Sequence, residues 1–384
     1  MKRFAPSLTL LMLLFACRPE VGFEAPISLP IRVDATDASR GPSLISFFPR
    51  DSVARPGDTL VFEVEGVGEP HVIAMGTLVN EGLAALDRVK PATLKEYFLG
   101  EPEEMYKLPS VFAATADYRP ENQAAGQPCF LDSGDPPMPD PCPERDQPAF
   151  DGTQSFYSSG MLREGSDYQV PLAEDLAPGT YRFMCLIHRG TMSGQVKVVG
   201  EETERPGAED ASARARREIS TSLANLEPAT ASAGSATSTD AAAGTESGKS
   251  PFELAMIFGP DEVTIPAGDS ITWRFTVCHT ISFNPPAEAF GDLKKEKDGS
   301  VRLNPMAYTP SQAPPVPALS FDPSAPPLDF DAGTWDGNGF FNSGGICALA
   351  KEDFSYKLTF SRPGDYELRC LFHPFMRGTV KVVG

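Results

Sequence analysis

The sequence predicts an all-β protein made of two similar β-sandwiches with long loop insertions. Three observations carry that expectation. Leu60, Phe62 and Val64 alternate with less apolar neighbours, and Ile271, Trp273, Phe275 and Val277 do the same, which is the period of half-buried strands. Proline (38) and glycine (33) are abundant among the 384 residues and favour turns and short strands over a helical bundle. Finally, the chain repeats itself, which points to two copies of one domain.

The repeat is clearest near the C-terminus of each copy. Pro178-Gly179, Tyr181, Cys185, His188, Met192 and Gly194-Gln195-Val196-Lys197-Val198-Val199-Gly200 are matched by Pro363-Gly364, Tyr366, Cys370, His373, Met376 and Gly378-Thr379-Val380-Lys381-Val382-Val383-Gly384. Upstream, Phe156-Tyr157-Ser158-Ser159-Gly160 is echoed by Phe341-Asn342-Ser343-Gly344-Gly345, and Gly160 precedes Cys185 by the same interval as Gly345 precedes Cys370. The copies are expected over 43–200, with an insertion at 77–150, and over 251–384, with an insertion at 284–335. Both insertions are Pro-rich and poorly periodic. Between the copies, 201–250 reads as a linker. A short helix is expected over 208–226, with Ile219, Leu223 and Leu226 on one face and Pro228 ending it. The Ala/Ser/Thr/Gly-rich stretch 229–247 then reads as flexible.

At the N-terminus, Lys2 and Arg3 precede a short apolar run from Leu8 to Ala16. It is shorter than the ~20 residues that span a bilayer and suits a signal peptide over 1–16. Leu14-Phe15-Ala16-Cys17 resembles a bacterial lipoprotein lipobox, which would make Cys17 the lipidated mature N-terminus and 17–42 a tether. An ordinary secretory signal with an incidental cysteine is the alternative. Either reading exports the chain to the cell envelope, as a periplasmic or cell-surface protein, where cysteines can oxidise.

Only four histidines occur, and each copy uses two. Cys185, in register with Tyr181 and Phe183, points to the apolar face of its strand. His188 follows on the loop, Met192 opens the next strand, and His71 comes from upstream. Cys370, His373, Met376 and His279 repeat the set. A lone Cys-x-x-His is a weak signal and a lone methionine is ordinarily core filler; the full set occurring twice is far more specific. One thiolate, two imidazoles and a thioether are the ligands of a blue-copper electron-transfer site.

These motifs resemble the cupredoxins, the family of plastocyanin, amicyanin and azurin. Cys370-Leu371-Phe372-His373-Pro374-Phe375-Met376 is similar to the short ligand loop of amicyanin, while the first copy has one residue more between His188 and Met192. The resemblance covers roughly 43–76 with 153–200, and 252–283 with 338–384. It implies a Greek-key sandwich binding one type 1 copper per domain, two per chain. It also implies that the apolar residues of the ligand loops (Leu186 and Ile187; Leu371, Phe372, Pro374 and Phe375) form a patch that docks a redox partner.

Of the seven cysteines, Cys17 is assigned to lipid and Cys185 and Cys370 to copper. Cys129 and Cys142 then pair within the first insertion, and Cys278 with Cys347 in the second domain; the alternative leaves one pair reduced. Copper nitrite reductases and multicopper oxidases need further histidines, and none remains, so an electron carrier is expected rather than an enzyme. The net charge of −19 argues against nucleic acid and favours a basic redox partner such as a cytochrome. Two alternatives stand: an envelope protein that scavenges, stores or delivers copper, and a chain in which only the second domain binds copper while the first is a structural or docking module.

Overall fold

Alternate burial along the apolar runs organises the computed structural model, which describes residues 25–36, 43–64, 70–89, 104, 108, 147–162, 165–235, 239–250, 253–276, 278–291, 293–295, 301–311, 329–347 and 354–384. The first half supplies β1 (Ser28–Thr36), β2 (Ser43–Phe48), β3 (Asp51–Ala54), β4 (Thr59–Val64), β5 (Ile73–Met75), helix α1 (Thr77–Val89), β6 (Tyr157–Ser158), β7 (Asp167–Pro171), β8 (Gly179–Cys185) and β9 (Arg189–Val198). They form two sheets, ordered β2-β1-β4-β7 and β3-β9-β8-β5-β6. Helix α2 (Ala208–Gly234) follows.

The second half supplies β10 (Asp240–Glu246), β11 (Leu254–Gly259), β12 (Glu262–Pro266), β13 (Ser270–Phe275), β14 (Cys278–His279), β15 (Ser282–Phe283), β16 (Leu293–Lys295), β17 (Val301–Leu303), β18 (Asp329–Trp335), β19 (Phe341–Asn342), β20 (Ile346–Cys347), β21 (Ser355–Phe360), β22 (Gly364–Arg369) and β23 (Arg377–Val383). Its large sheets run β11-β10-β13-β21-β18 and β12-β23-β22-β15-β19. Strand for strand, the two halves share one topology. β1 lies parallel to β4 as β10 does to β13, and β3 lies parallel to β9 as β12 does to β23. Among the described residues of these large sheets, only the edge strand β18 has no counterpart. The fold is therefore the pair of similar β-sandwiches that the sequence predicts.

Side chains from the two sheets of each sandwich meet in its core. Leu60, Phe62 and Val64 of β4 are buried while Val61 and Glu63 are half exposed, as period two requires. Phe183 of β8 packs edge-on against Phe47 and Phe62, with ring centroids 5.0 and 5.1 Å away. In the second sandwich Phe283 stacks on Trp335 at 5.0 Å and meets Phe360 edge-on at 5.4 Å. Such aromatic pairs add roughly 0.5–1.5 kcal/mol beyond their burial.

Five sequence expectations change. The loop insertion expected at 77–150 opens with helix α1. The tether 17–42 contains β1, so the first sandwich begins before residue 43. The helix expected over 208–226 runs 27 residues, with Pro228 inside it. Proline removes one helical hydrogen bond, but buried Leu226 and Ala233 on either side hold the helix down. The stretch read as flexible, 229–247, holds the last turn of α2 and strand β10. Alanine there signals little by itself, yet Ala241 and Ala243 are buried and backbone pairing with β13 orders the strand. The insertion 284–335 contributes β18, whose Trp335 belongs to the core.

Helix α2 couples the halves. Its Ala215 and Leu226 cluster with Ala35, Leu44 and Phe48 of the first sandwich and Ala255 of the second. Among the described residues no helix is long and apolar enough to cross a membrane.

The segment entering α2 is fixed by charge. Asp58 and Arg205 are almost wholly buried, with Arg205 Nε 2.8 Å from Asp58 Oδ2. The same carboxylate accepts the backbone N–H groups of Ile27 at 2.9 Å and Arg55 at 2.8 Å. Arg205→Ala would leave a buried carboxylate without its counter-charge, and a loss of about 3 kcal/mol in urea denaturation is expected.

Candidate metal centres

Strand pairing assembles each site from distant parts of the chain. Cys185 ends β8 and stands opposite Ile73 of β5, which brings His71, two residues earlier, to the same end of the sheet. His188 lies in the turn after β8, and Met192 lies inside β9. The extra residue of this loop is absorbed at Arg189, which adopts φ 52° at a shift in the β8–β9 register. In the second sandwich β15 pairs with β22, Ser282 opposite Arg369, which places His279 beside Cys370. That ligand loop folds on itself: Cys370 N–H donates to the Met376 carbonyl at 3.1 Å, and Met376 N–H to the His373 carbonyl at 2.8 Å.

The ligand atoms of His71, Cys185 and His188 lie within 4.8 Å of one another, as do those of His279, Cys370 and His373. His71 Nδ1 is 3.7 Å from Cys185 Sγ. In the second site the Nδ1 atoms of His279 and His373 are 3.8 and 3.4 Å from Cys370 Sγ and 3.0 Å from each other. Met192 and Met376 are buried in the same core cluster as the cysteines. The six sequence-predicted histidines and cysteines therefore gather at two sites, one per sandwich.

The donor sets fit copper. Burial by itself would push the Cys185 thiol up, but His188 and His71 bring it down to about 5. Burial opposes the Cys370 thiolate in the same way, and His373 and His279 hold that thiol well below its ordinary value. A preformed thiolate between imidazoles is what a soft, partly thiolate-bound metal requires. Each sandwich thus carries a type 1 copper-like His/Cys/His/Met set.

The surroundings differ between the sites. Nε2 of His71 lies 2.6 Å from Oδ2 of Asp34, and both side chains are buried. Burial lowers the His71 pKa, but Asp34 outweighs it and holds the imidazole well above its ordinary value. Sequence reasoning missed Asp34, because it lies on β1, in the stretch read as a tether; only the pairing of β1 with β4 reveals it. Among the described residues His279 has no such carboxylate, and burial lowers its pKa.

The apolar patch expected around the loop histidines is only partly covered in the second domain, where Pro374 and Phe375 stay half-buried. Leu371 is 0% and Phe372 5% exposed, and Tyr308 from the insertion lies over Phe372 with ring centroids 4.9 Å apart. His373 is only 4% exposed. In the first domain Leu186 packs under α1 with Val79, Leu83 and Leu86, while Ile187 and His188 stay partly exposed. Sequence could not foresee the cover, since the insertions lack the period that would assign their apolar residues to a face.

Cys278 is disulfide-bonded and stands opposite Cys347 in the β14–β20 ladder. Cys17, Cys129 and Cys142 lie outside the described residues.

The thiolate assignment is directly measurable. In metal-free Cys370→Ser protein, the ultraviolet thiolate absorbance of Cys185 should persist as pH falls from neutral and disappear near pH 5, well below the ~8.5 of a free thiol. Because the folded value lies below the unfolded one, the stability this group contributes is full above about pH 8.5 and declines toward pH 5. A midpoint near 8.5 would contradict the arrangement.

No protein-family model matches the chain, and no curated protein does. Among solved structures, auracyanin from Roseiflexus castenholzii is 14% identical, with a TM-score of 0.22, over 46% of this chain and 99% of its own. A purple cupredoxin from Nitrosopumilus maritimus is 17% identical, with a TM-score of 0.19, over 38% and 99%. Amicyanin from Paracoccus versutus is 19% identical, with a TM-score of 0.18, over 40% and 88%.

Proposed function

We propose that the protein is an exported electron carrier of the bacterial cell envelope, holding one type 1 copper in each sandwich: His71, Cys185, His188 and Met192 at site 1, His279, Cys370, His373 and Met376 at site 2. The observation that carries this reading is the convergence, twice, of two imidazoles and a thiolate at a buried sheet end. When bound, copper would supply one-electron chemistry, cycling between Cu(I) and Cu(II) on a ligand set that suits both.

The chain's own residues provide the rest. Burial of Cys185, Cys370, Met192 and Met376 excludes water from the sulfur ligands. The folded sheet ends hold the donors in place before metal arrives, so little rearrangement accompanies a change of oxidation state. Buried ligands also favour retention of copper over its delivery to an acceptor. The four histidines are committed to these two sites, which supports a carrier rather than an enzyme.

The partly exposed His188 is the natural contact for a redox partner, and the acidic net charge suits a basic one such as a cytochrome. The N-terminal segment, with Cys17 lipidated, would anchor the mature chain to a membrane. Oxidising surroundings suit a Cys278–Cys347 disulfide beside His279, and a Cys129–Cys142 disulfide in the first insertion.

Copper titration of the mature region tests the reading. Two Cu(II) per chain should bind with an intense copper–thiolate absorbance in the visible. Cys185→Ser and Cys370→Ser should each remove one copper and part of that colour, and a reduced cytochrome should reoxidise rapidly on mixing. A colourless protein without tightly bound copper would overturn the reading, as would copper hand-over to an acceptor protein with sluggish redox exchange.

A further inference from the structure

We propose that Asp34 makes the two sites unequal: it favours Cu(II) at site 1, so that an electron shared within one chain rests on site 2. This rests on the copper reading above and adds a direction to it.

The two sandwiches build the same device and equip it differently. Strand β1 loses register between Val33 and Ala35, and β10 loses register at the equivalent place, between Ala243 and Thr245. The residue inside each irregularity has a positive φ, 68° at Asp34 and 80° at Gly244. Aspartate is among the few residues with a side chain that accept this conformation, and glycine accepts it freely. Each of these residues meets the far nitrogen of the upstream histidine of its own site.

What they present to that nitrogen differs. Asp34 sets Oδ2 2.6 Å from His71 Nε2, with the carboxylate 1% and the imidazole 0% exposed. At Gly244 no side chain fits, because a Cβ there would stand 2.4 Å from His279 Nε2 and 2.5 Å from the Thr276 carbonyl oxygen. His279 Nε2 is buried without a hydrogen-bond partner of good geometry, and the Thr276 carbonyl beside it offers only a neutral dipole. One histidine is backed by a carboxylate and the other, among the described residues, by none.

Charge counting gives the sign. A thiolate with Cu(II) carries one net positive charge, and with Cu(I) none. Adding the Asp34 carboxylate makes the oxidised site neutral and the reduced site negative. In a buried, low-dielectric setting the neutral state is favoured. A carboxylate hydrogen-bonded to a ligating imidazole also raises its basicity as a ligand, which again favours Cu(II). Site 2 has neither effect and is the more enclosed, which favours Cu(I). Site 1, with its partly exposed His188, would therefore be the entry point and site 2 the resting place of the electron.

Potentiometric titration of single-site proteins tests this. Cys370→Ser isolates site 1 and Cys185→Ser isolates site 2. Site 1 should show the lower reduction potential. Adding Asp34→Asn to the Cys370→Ser protein should weaken Cu(II) binding about tenfold with Cu(I) binding held, raising the potential by about 59 mV. Asp34→Asn in the Cys185→Ser protein should leave the site 2 potential unmoved. Should the Asn variant fold poorly, Asp34→Gly, which suits φ 68° and copies the second site, carries the same expectation. Copper bound at both sites with equal potentials, or a site 1 potential indifferent to both substitutions, would overturn the proposal and leave the copper reading intact. Absence of a copper–thiolate spectrum from the unsubstituted chain would overturn both.

Discussion

A buried thiolate held between two imidazoles is the constraint on which each half of this molecule turns. A negative sulfur in an apolar interior is costly unless opposed by nearby positive or hydrogen-bonding groups. Those groups come from far along the chain: His71 is separated from Cys185 by 114 positions and His279 from Cys370 by 91. Only the antiparallel pairing of β5 with β8, and of β15 with β22, brings them to one end of a sheet. The sandwich core beneath, with Phe183 wedged between Phe47 and Phe62, keeps that end from opening. Stability of the fold and readiness of the site are thus one property.

The duplication sets the same device in two environments. In the second sandwich the ligand loop is roofed by Tyr308 over Phe372, and an asparagine network holds the roof in place. Asn304 donates to the carbonyls of Ala289 and Gly291, and Asn342 to those of Met306 and Ala307. The insertion that read as loop is therefore part of the wall of the site. In the first sandwich α1 covers Leu186 but leaves His188 partly exposed. Two copies of one ligand set are kept chemically distinct by what surrounds them.

Helix α2 gives the pair its unity. Its Ala215 and then Leu226 press on the first strands of both sandwiches. Near its start, the Asp58–Arg205 ion pair ties the chain back to the beginning of β1. A segment that reads as a linker with one short helix instead couples the halves, because short side chains allow a helix to approach a sheet closely.

The period-two strands, the duplication and the histidines and cysteines of both sites were legible in the sequence, because each leaves a local trace: a period of two, a repeated Cys-x-x-His, and a histidine count with none to spare. Strands β1 and β10, the length of α2, the role of β18 and the cover over site 2 were not. Their side chains are small, mixed or aperiodic, and their order comes from partners that sequence does not name. Asp34 is the sharpest case. Nothing around it marks a ligand's neighbour, and its counterpart is a glycine. Which ligands exist is a matter of residue type and spacing along the chain. Which charge stands behind each ligand is decided by parallel pairing of β1 with β4 and of β10 with β13, a long-range event that carries a residue from an unremarkable segment into contact with a buried imidazole.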